Sequence, residues 1–108
     1  MKATVLEPHL SEIPALCARY GVARLEIFGS ATGPDFDPKQ SDLDFLVEFN
    51  SESTHLFERY FGLKESLEAL YQLDVDLVTL GALENPYFID AINQSRELLY
   101  AAEDTQAA

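Results

Sequence analysis

This chain has little with which to hold a polyanion or cross-link itself. Seven lysines and arginines stand against 19 aspartates and glutamates, a formal charge of -12. The seven, Lys2, Arg19, Arg24, Lys39, Arg59, Lys64 and Arg96, are scattered. Without a basic stripe to track a phosphate backbone, broad nucleic-acid binding is not expected. Cys17 is the single cysteine, so neither an internal disulfide nor a thiolate metal cluster can form. The two histidines, His9 and His55, are far apart and lack ligand spacing. Surface or capping roles near helix starts are expected of them. No run approaches the ~18 uncharged apolar residues of a membrane span. Met1 to Pro8 lack the long apolar segment of a secretion signal. A cytoplasmic protein without membrane contact is expected.

What is present is 108 residues, 47% hydrophobic and 24% charged, the composition of an ordinary globule with one core. No repeat, linker or second domain is visible. One domain over residues 1–108 is expected, with 103–108 as a frayed tail. The acidity suits a basic protein partner, because complementary fields steer encounter. Solubility alone is the competing explanation.

Local patterns predict the order α-β-β-α-β-α. Ser11 can cap a helix to about Tyr20, with Pro14 tolerated in its first turn. Ile13, Leu16, Cys17 and Tyr20 form its core stripe, which makes Cys17 a buried, inert thiol. Gly21 suits the position after its end. Val22 to Phe28 alternates as a strand, with Leu25 and Ile27 opposite Arg24 and Glu26. Residues 29–41 are rich in Gly, Pro and Asp and read as a loop. Leu43 to Phe49 is the clearest strand. A helix from about Thr54 to Gln72 follows, whose Phe57, Tyr60, Phe61 and Tyr71 read mostly as core. Gly62 weakens its middle by ~1 kcal/mol relative to Ala. Asp74 to Leu80 is a third strand. Asn85-Pro86 opens a last helix to about Ala101. This is an α+β domain: a small mixed sheet flanked by helices.

The chemistry lies in Gly29-Ser30, an eleven-residue spacer, Asp42-Leu43-Asp44, and Asp76 in the third strand. Asp42 and Asp44 leave the same face of one strand roughly 7 Å apart, and an adjacent strand ~4.8 Å away brings Asp76 to them. Aspartates are disfavoured in strands, and three converging on one face repel unless a cation sits between them. Hard oxygen ligands with open positions suit Mg²⁺ carrying substrate phosphates. Two such ions ~3.5–4 Å apart form the clamp for in-line displacement at phosphorus. Glycine lets a phosphate approach the backbone, where the following amides and the Ser30 hydroxyl can hold it. Asp74 shares the Asp76 face and reads as a solvated strand-end acid rather than a spare ligand. Tyr87 and Phe88 are weaker candidates to flank a base or a partner.

Phe28-Gly29-Ser30, Ser41 to Phe49 and Val75 to Thr79 together resemble the minimal nucleotidyltransferases (MNT) of the DNA polymerase β-like superfamily. The likeness covers roughly residues 10 to 101. It implies that Asp42 and Asp44 hold two Mg²⁺ ions. It also implies that Asp76 holds the catalytic ion and helps deprotonate the acceptor, and that Gly29 and Ser30 hold the phosphates of ATP. It further implies an antitoxin that transfers AMP to a tyrosine of a HEPN ribonuclease toxin; whether the chain forms a homo- or hetero-oligomer is left open by the sequence. The alternative is a catalytically weak module that neutralises the toxin by masking it. Family members usually carry arginines after Gly-Ser. Here the run is Ala31 to Asp37, with no base before Lys39. Lys39 is therefore the expected phosphate-binding cation, and an arginine at Ala31 is expected to strengthen nucleotide binding.

Overall fold

The computed structural model describes residues 4–32, 42–50, 55–79 and 86–102. The three expected strands are present as β1 (Val22–Phe28), β2 (Leu43–Phe49) and β3 (Val75–Thr79). Three helices accompany them: α1 (Ile13–Arg19), α2 (Leu56–Tyr71) and α3 (Pro86–Ser95). A fourth strand, β4 (Glu97–Ala101), replaces the expected last turns of the final helix. The strands form one mixed sheet in the order β3-β2-β1-β4. β1 runs antiparallel to both β2 and β4, and β2 runs parallel to β3.

Both faces of the sheet are covered. On one, Leu25, Ile27, Leu43, Phe45, Val47, Val75 and Leu77 pack with Ile13 and Cys17 of α1 and Leu63 and Leu67 of α2. On the other, Phe28 and Leu46 pack with Ile92 of α3, joined by Val78. The two-residue period of the strands produces this division. Leu46 is thus buried although it shares a face with Asp44 and Glu48, because α3 covers part of that face.

Tertiary contacts explain the departures from local pattern. α1 starts at Ile13 behind Glu12, without a side-chain cap, and a 3-10 segment (Thr4–Glu12) precedes it. Ser11 is therefore not its cap. Gly21, with φ +69, occupies the position after the Tyr20 C-cap as expected. Gly62 has a packing reason: an added Cβ would lie 2.5 Å from the Tyr20 ring, whose hydroxyl is 3.0 Å from Ser66 Oγ. Arg59 of α2 donates to the carbonyls of Tyr20 and Gly21, both at 2.9 Å, and to Asn50 Oδ1 at 2.8 Å. One guanidinium thereby ties together the ends of α1, β2 and α2. Tyr60 and Tyr71 pack against the core, but Phe57 and Phe61 are exposed, contrary to their helical spacing. Cys17 is fully buried, and burial pushes its pKa up to about 12. No described helix is long and apolar enough to cross a membrane. Lys39, Asn85 and the expected tail at 103–108 lie outside the described residues.

Candidate active site

Sheet register brings the sequence candidates together. Asp44 lies directly opposite Asp76 in the parallel β2–β3 ladder, and opposite Phe28 in the β1–β2 ladder. Gly29 follows Phe28, so Gly29, Asp44 and Asp76 meet at the end of three adjacent strands. Asp42 precedes β2 by one residue. The Leu43 amide donates to the Asp74 carbonyl at 2.9 Å, which fixes the start of β2 beside the start of β3. Asp42 and Asp76 are exposed, whereas Asp44 is half-buried. Asp74 is exposed before β3, as a strand-end acid should be.

Asp44 is electrostatically strained. Burial, then the charges of Asp76 and Asp42, push its carboxyl from an ordinary 3.8 up to about 6. These causes place the three carboxylates within electrostatic reach of one another. Among the described residues the three carboxylates do not close into a group of three that could hold a metal ion. Oxygen donors of one sign with free approach suit a hard divalent cation that also carries phosphate oxygens. A cation there would relieve the repulsion that raises Asp44.

Gly29 cannot readily be another residue. Its φ is +78, and a Cβ on it would lie 2.5 Å from Asp44 Oδ2. Its amide donates to Ser95 Oγ at 3.0 Å, and its carbonyl accepts from Thr32 Oγ1 at 2.8 Å. The 3-10 turn Gly29–Thr32 is thus pinned on both sides. The Gly29 amide is therefore committed to Ser95 rather than free for a phosphate. The backbone of Ser30 lies in this turn, but its side chain is outside the description. Sequence reasoning missed Ser95, and no local signal marks it. Ala31 is only 2% exposed and belongs to the core. An arginine there would overpack the core rather than reach a phosphate, so that expectation fails.

One further carboxylate lies on this face. Glu26, 2% exposed, receives Arg24 Nε on one oxygen at 2.5 Å and Arg96 Nε on the other. Arg96 also donates to Asn93 Oδ1 at 2.7 Å. Burial alone would raise the Glu26 pKa, but the hydrogen bonds from Arg96 and Arg24 prevail and hold it below the usual carboxylate range.

Residues 13–99 match the family described as the nucleotidyltransferase domain. The chain belongs to that family. Among relatives of this nucleotidyltransferase, the protein adenylyltransferase MntA of Thermococcus cleftensis is 35% identical over 82 residues, 76% of this chain and 77% of the relative. A solved structure provisionally described as a minimal nucleotidyltransferase superposes with a TM-score of 0.70 at 30% identity, covering 90% of this chain and 95% of its own. A chain from the complex of tri-AMPylated Shewanella oneidensis HEPN toxin with MNT antitoxin superposes with a TM-score of 0.60. It is 17% identical and covers 94% of this chain and 76% of its own. At that identity the likeness is one of fold. The α+β mixed sheet expected from sequence is the minimal nucleotidyltransferase fold.

Proposed function

We propose that this nucleotidyltransferase acts as an antitoxin by moving AMP from ATP onto a tyrosine hydroxyl of a HEPN-type toxin, as a single domain in the cytoplasm. The observation that carries this reading is the Asp44–Asp76 register with Gly29 against the Asp44 carboxylate. The protein adenylyltransferase relative and the AMPylated toxin in the neighbouring complex support it.

In the transfer, the acceptor oxygen forms a bond to the α-phosphorus of ATP, and the bond to the pyrophosphate leaving group breaks. Mg²⁺, when bound, neutralises the triphosphate and polarises its oxygens. Asp42 and Asp44 are assigned to hold two ions, with Asp76 shared by the catalytic one. Asp76, on the edge strand and exposed, also takes the proton from the acceptor hydroxyl. Such general-base assistance contributes ~10²–10⁴-fold in rate. Gly29 and the turn after it position the phosphates, with Lys39 as the nearby cation in the sequence.

ATP labelled on its α-phosphate, incubated with Mg²⁺ and a HEPN-type toxin that binds this chain, should label that toxin. Label on the γ-phosphate should not be transferred. Transfer of the γ label would identify phosphoryl transfer instead and overturn the reading.

The masking alternative is favoured by one observation: the buried Ala31 stands where family members usually place an arginine. Toxin silenced equally well without ATP would select it.

A further inference from the structure

Phe57 and Phe61, one helical turn apart at the start of α2, are 75% and 42% exposed, and neighbouring Leu56 is 44% exposed. Their rings touch, with centroids 4.7 Å apart, and Phe61 meets Tyr60 edge-on at 5.0 Å. Tyr60 is anchored by its hydroxyl, which donates to the Leu77 carbonyl in β3. Arg59 fixes the same helical turn to the Tyr20 and Gly21 carbonyls. The aromatic pair therefore stands on a rigid base and loses little freedom when covered. Contiguous exposed apolar side chains with a polar rim mark an interaction surface.

The rim restricts the occupant. Glu58, 3.0 Å from the His55 imidazole, and Glu65 are exposed on these turns. The bases alongside are engaged: Lys64 pairs with Glu68 at 3.0 Å, and Arg59 is held as above. Two copies of a chain carrying -12 would bring like-charged rims together, which opposes self-association. A basic protein with an apolar cleft fits both centre and rim.

We infer that Leu56, Phe57 and Phe61, with the acidic rim of Glu58 and Glu65, form the docking surface for the basic protein that this nucleotidyltransferase modifies. The inference rests on the partner reading above. α2 packs on the opposite face of the sheet from Asp44 and Asp76, so a partner held there leaves the carboxylates open. Docking and transfer are therefore separable.

The test measures binding of a full-length HEPN-type toxin, without nucleotide, by calorimetry over a range of salt. Phe57→Ala/Phe61→Ala should weaken binding about 100-fold, since two aromatic anchors are lost, with the melting transition unchanged. Glu58→Lys/Glu65→Lys, which spares every apolar contact, should also weaken binding and flatten its salt dependence. Native-like binding by both variants would overturn the docking surface, while AMP transfer by the native chain would leave the catalytic reading standing. Loss of binding in both variants without any AMP transfer by the native chain would support the surface and overturn the catalytic reading. A native dimer that becomes monomeric in Phe57→Ala/Phe61→Ala, with partner binding intact, would make this a self-interface and overturn the inference.

Discussion

Glu26 and Asp44 are carboxylates on the same face of one sheet, about 7–8 Å apart along the diagonal of the β1–β2 ladder, yet their electrostatic states are opposite. Glu26 lies opposite Leu46 and Asp44 lies opposite Phe28. Glu26 is buried between two guanidinium groups, which hold it ionised and below its ordinary pKa. Among the described residues no base pairs with Asp44. It faces Asp76 across the ladder and Asp42 along the chain, and its pKa rises to about 6. A fully paired carboxylate has no capacity left for a ligand. An acid among acids gives up stability in the free protein and recovers it when a cation arrives. The same face thus carries a structural clasp and the proposed binding site, distinguished by which charges the fold brings to each.

The largest stability effect is expected where the clasp is broken. Glu26→Gln leaves two guanidinium groups facing a neutral amide in a buried position and should cost about 2–3 kcal/mol, read by chemical denaturation. The sign with pH follows from the lowered pKa. The Glu26 contribution is fully present above the ordinary glutamate value of 4.5, and is lost as pH falls through the depressed folded value. Acid unfolding of Glu26→Gln should therefore differ least from native at the lowest pH.

Asp44→Asn should act with the opposite sign. Removing one of the like charges should stabilise the metal-free chain by about 0.5–1 kcal/mol at neutral pH. The native carboxyl, raised from 3.8 to about 6, binds its proton in the folded state first. Native stability thus falls as pH rises through that window, and the advantage of Asp44→Asn should appear above pH 6 and vanish below about 4. The native chain should melt higher with saturating Mg²⁺ and ATP, by about 2.7 kcal/mol at 100 times the dissociation constant. Asp44→Asn should lose that rise. A variant that is destabilised when metal-free, or that keeps the full rise, would contradict the contrast with Glu26.

The smallest effect is expected at Lys39. As the one base between Ser30 and Asp42 in the sequence, its replacement by Ala should weaken ATP binding by about 1 kcal/mol at most, the scale of an exposed charge contact. Unchanged calorimetric affinity would remove Lys39 from the site.

Much of this contrast was legible before any coordinates. Alternation located β1, β2 and β3. The spacing of Asp42, Asp44 and Asp76 anticipated the row in which Asp44 and Asp76 now stand opposite each other. The features that escaped depend on non-local partners. Glu26 reads as a solvent-facing residue until Arg96, 70 positions away, is folded onto it. β4 reads as helix because Leu98-Leu99-Tyr100 follows Ser95 with no glycine or proline between. What separates helix from strand there is tertiary: Ser95 Oγ accepts the Gly29 amide, Arg96 turns to Glu26, and β1 supplies a free edge. Phe57 and Phe61 carry the same spacing a buried stripe would carry. Periodicity tells which residues share a side of the helix but not whether anything covers that side.

The most direct test of the central claim compares native chain and Asp76→Asn, each co-expressed with a HEPN-type toxin, by intact-mass spectrometry of that partner. Asp76→Asn keeps the shape of an exposed edge-strand residue while removing the charge that would take the acceptor proton. The account predicts AMP on the partner purified with the native chain, little or none with Asp76→Asn, and co-purification in both cases. A partner silenced without added mass, equally by both chains, would contradict it.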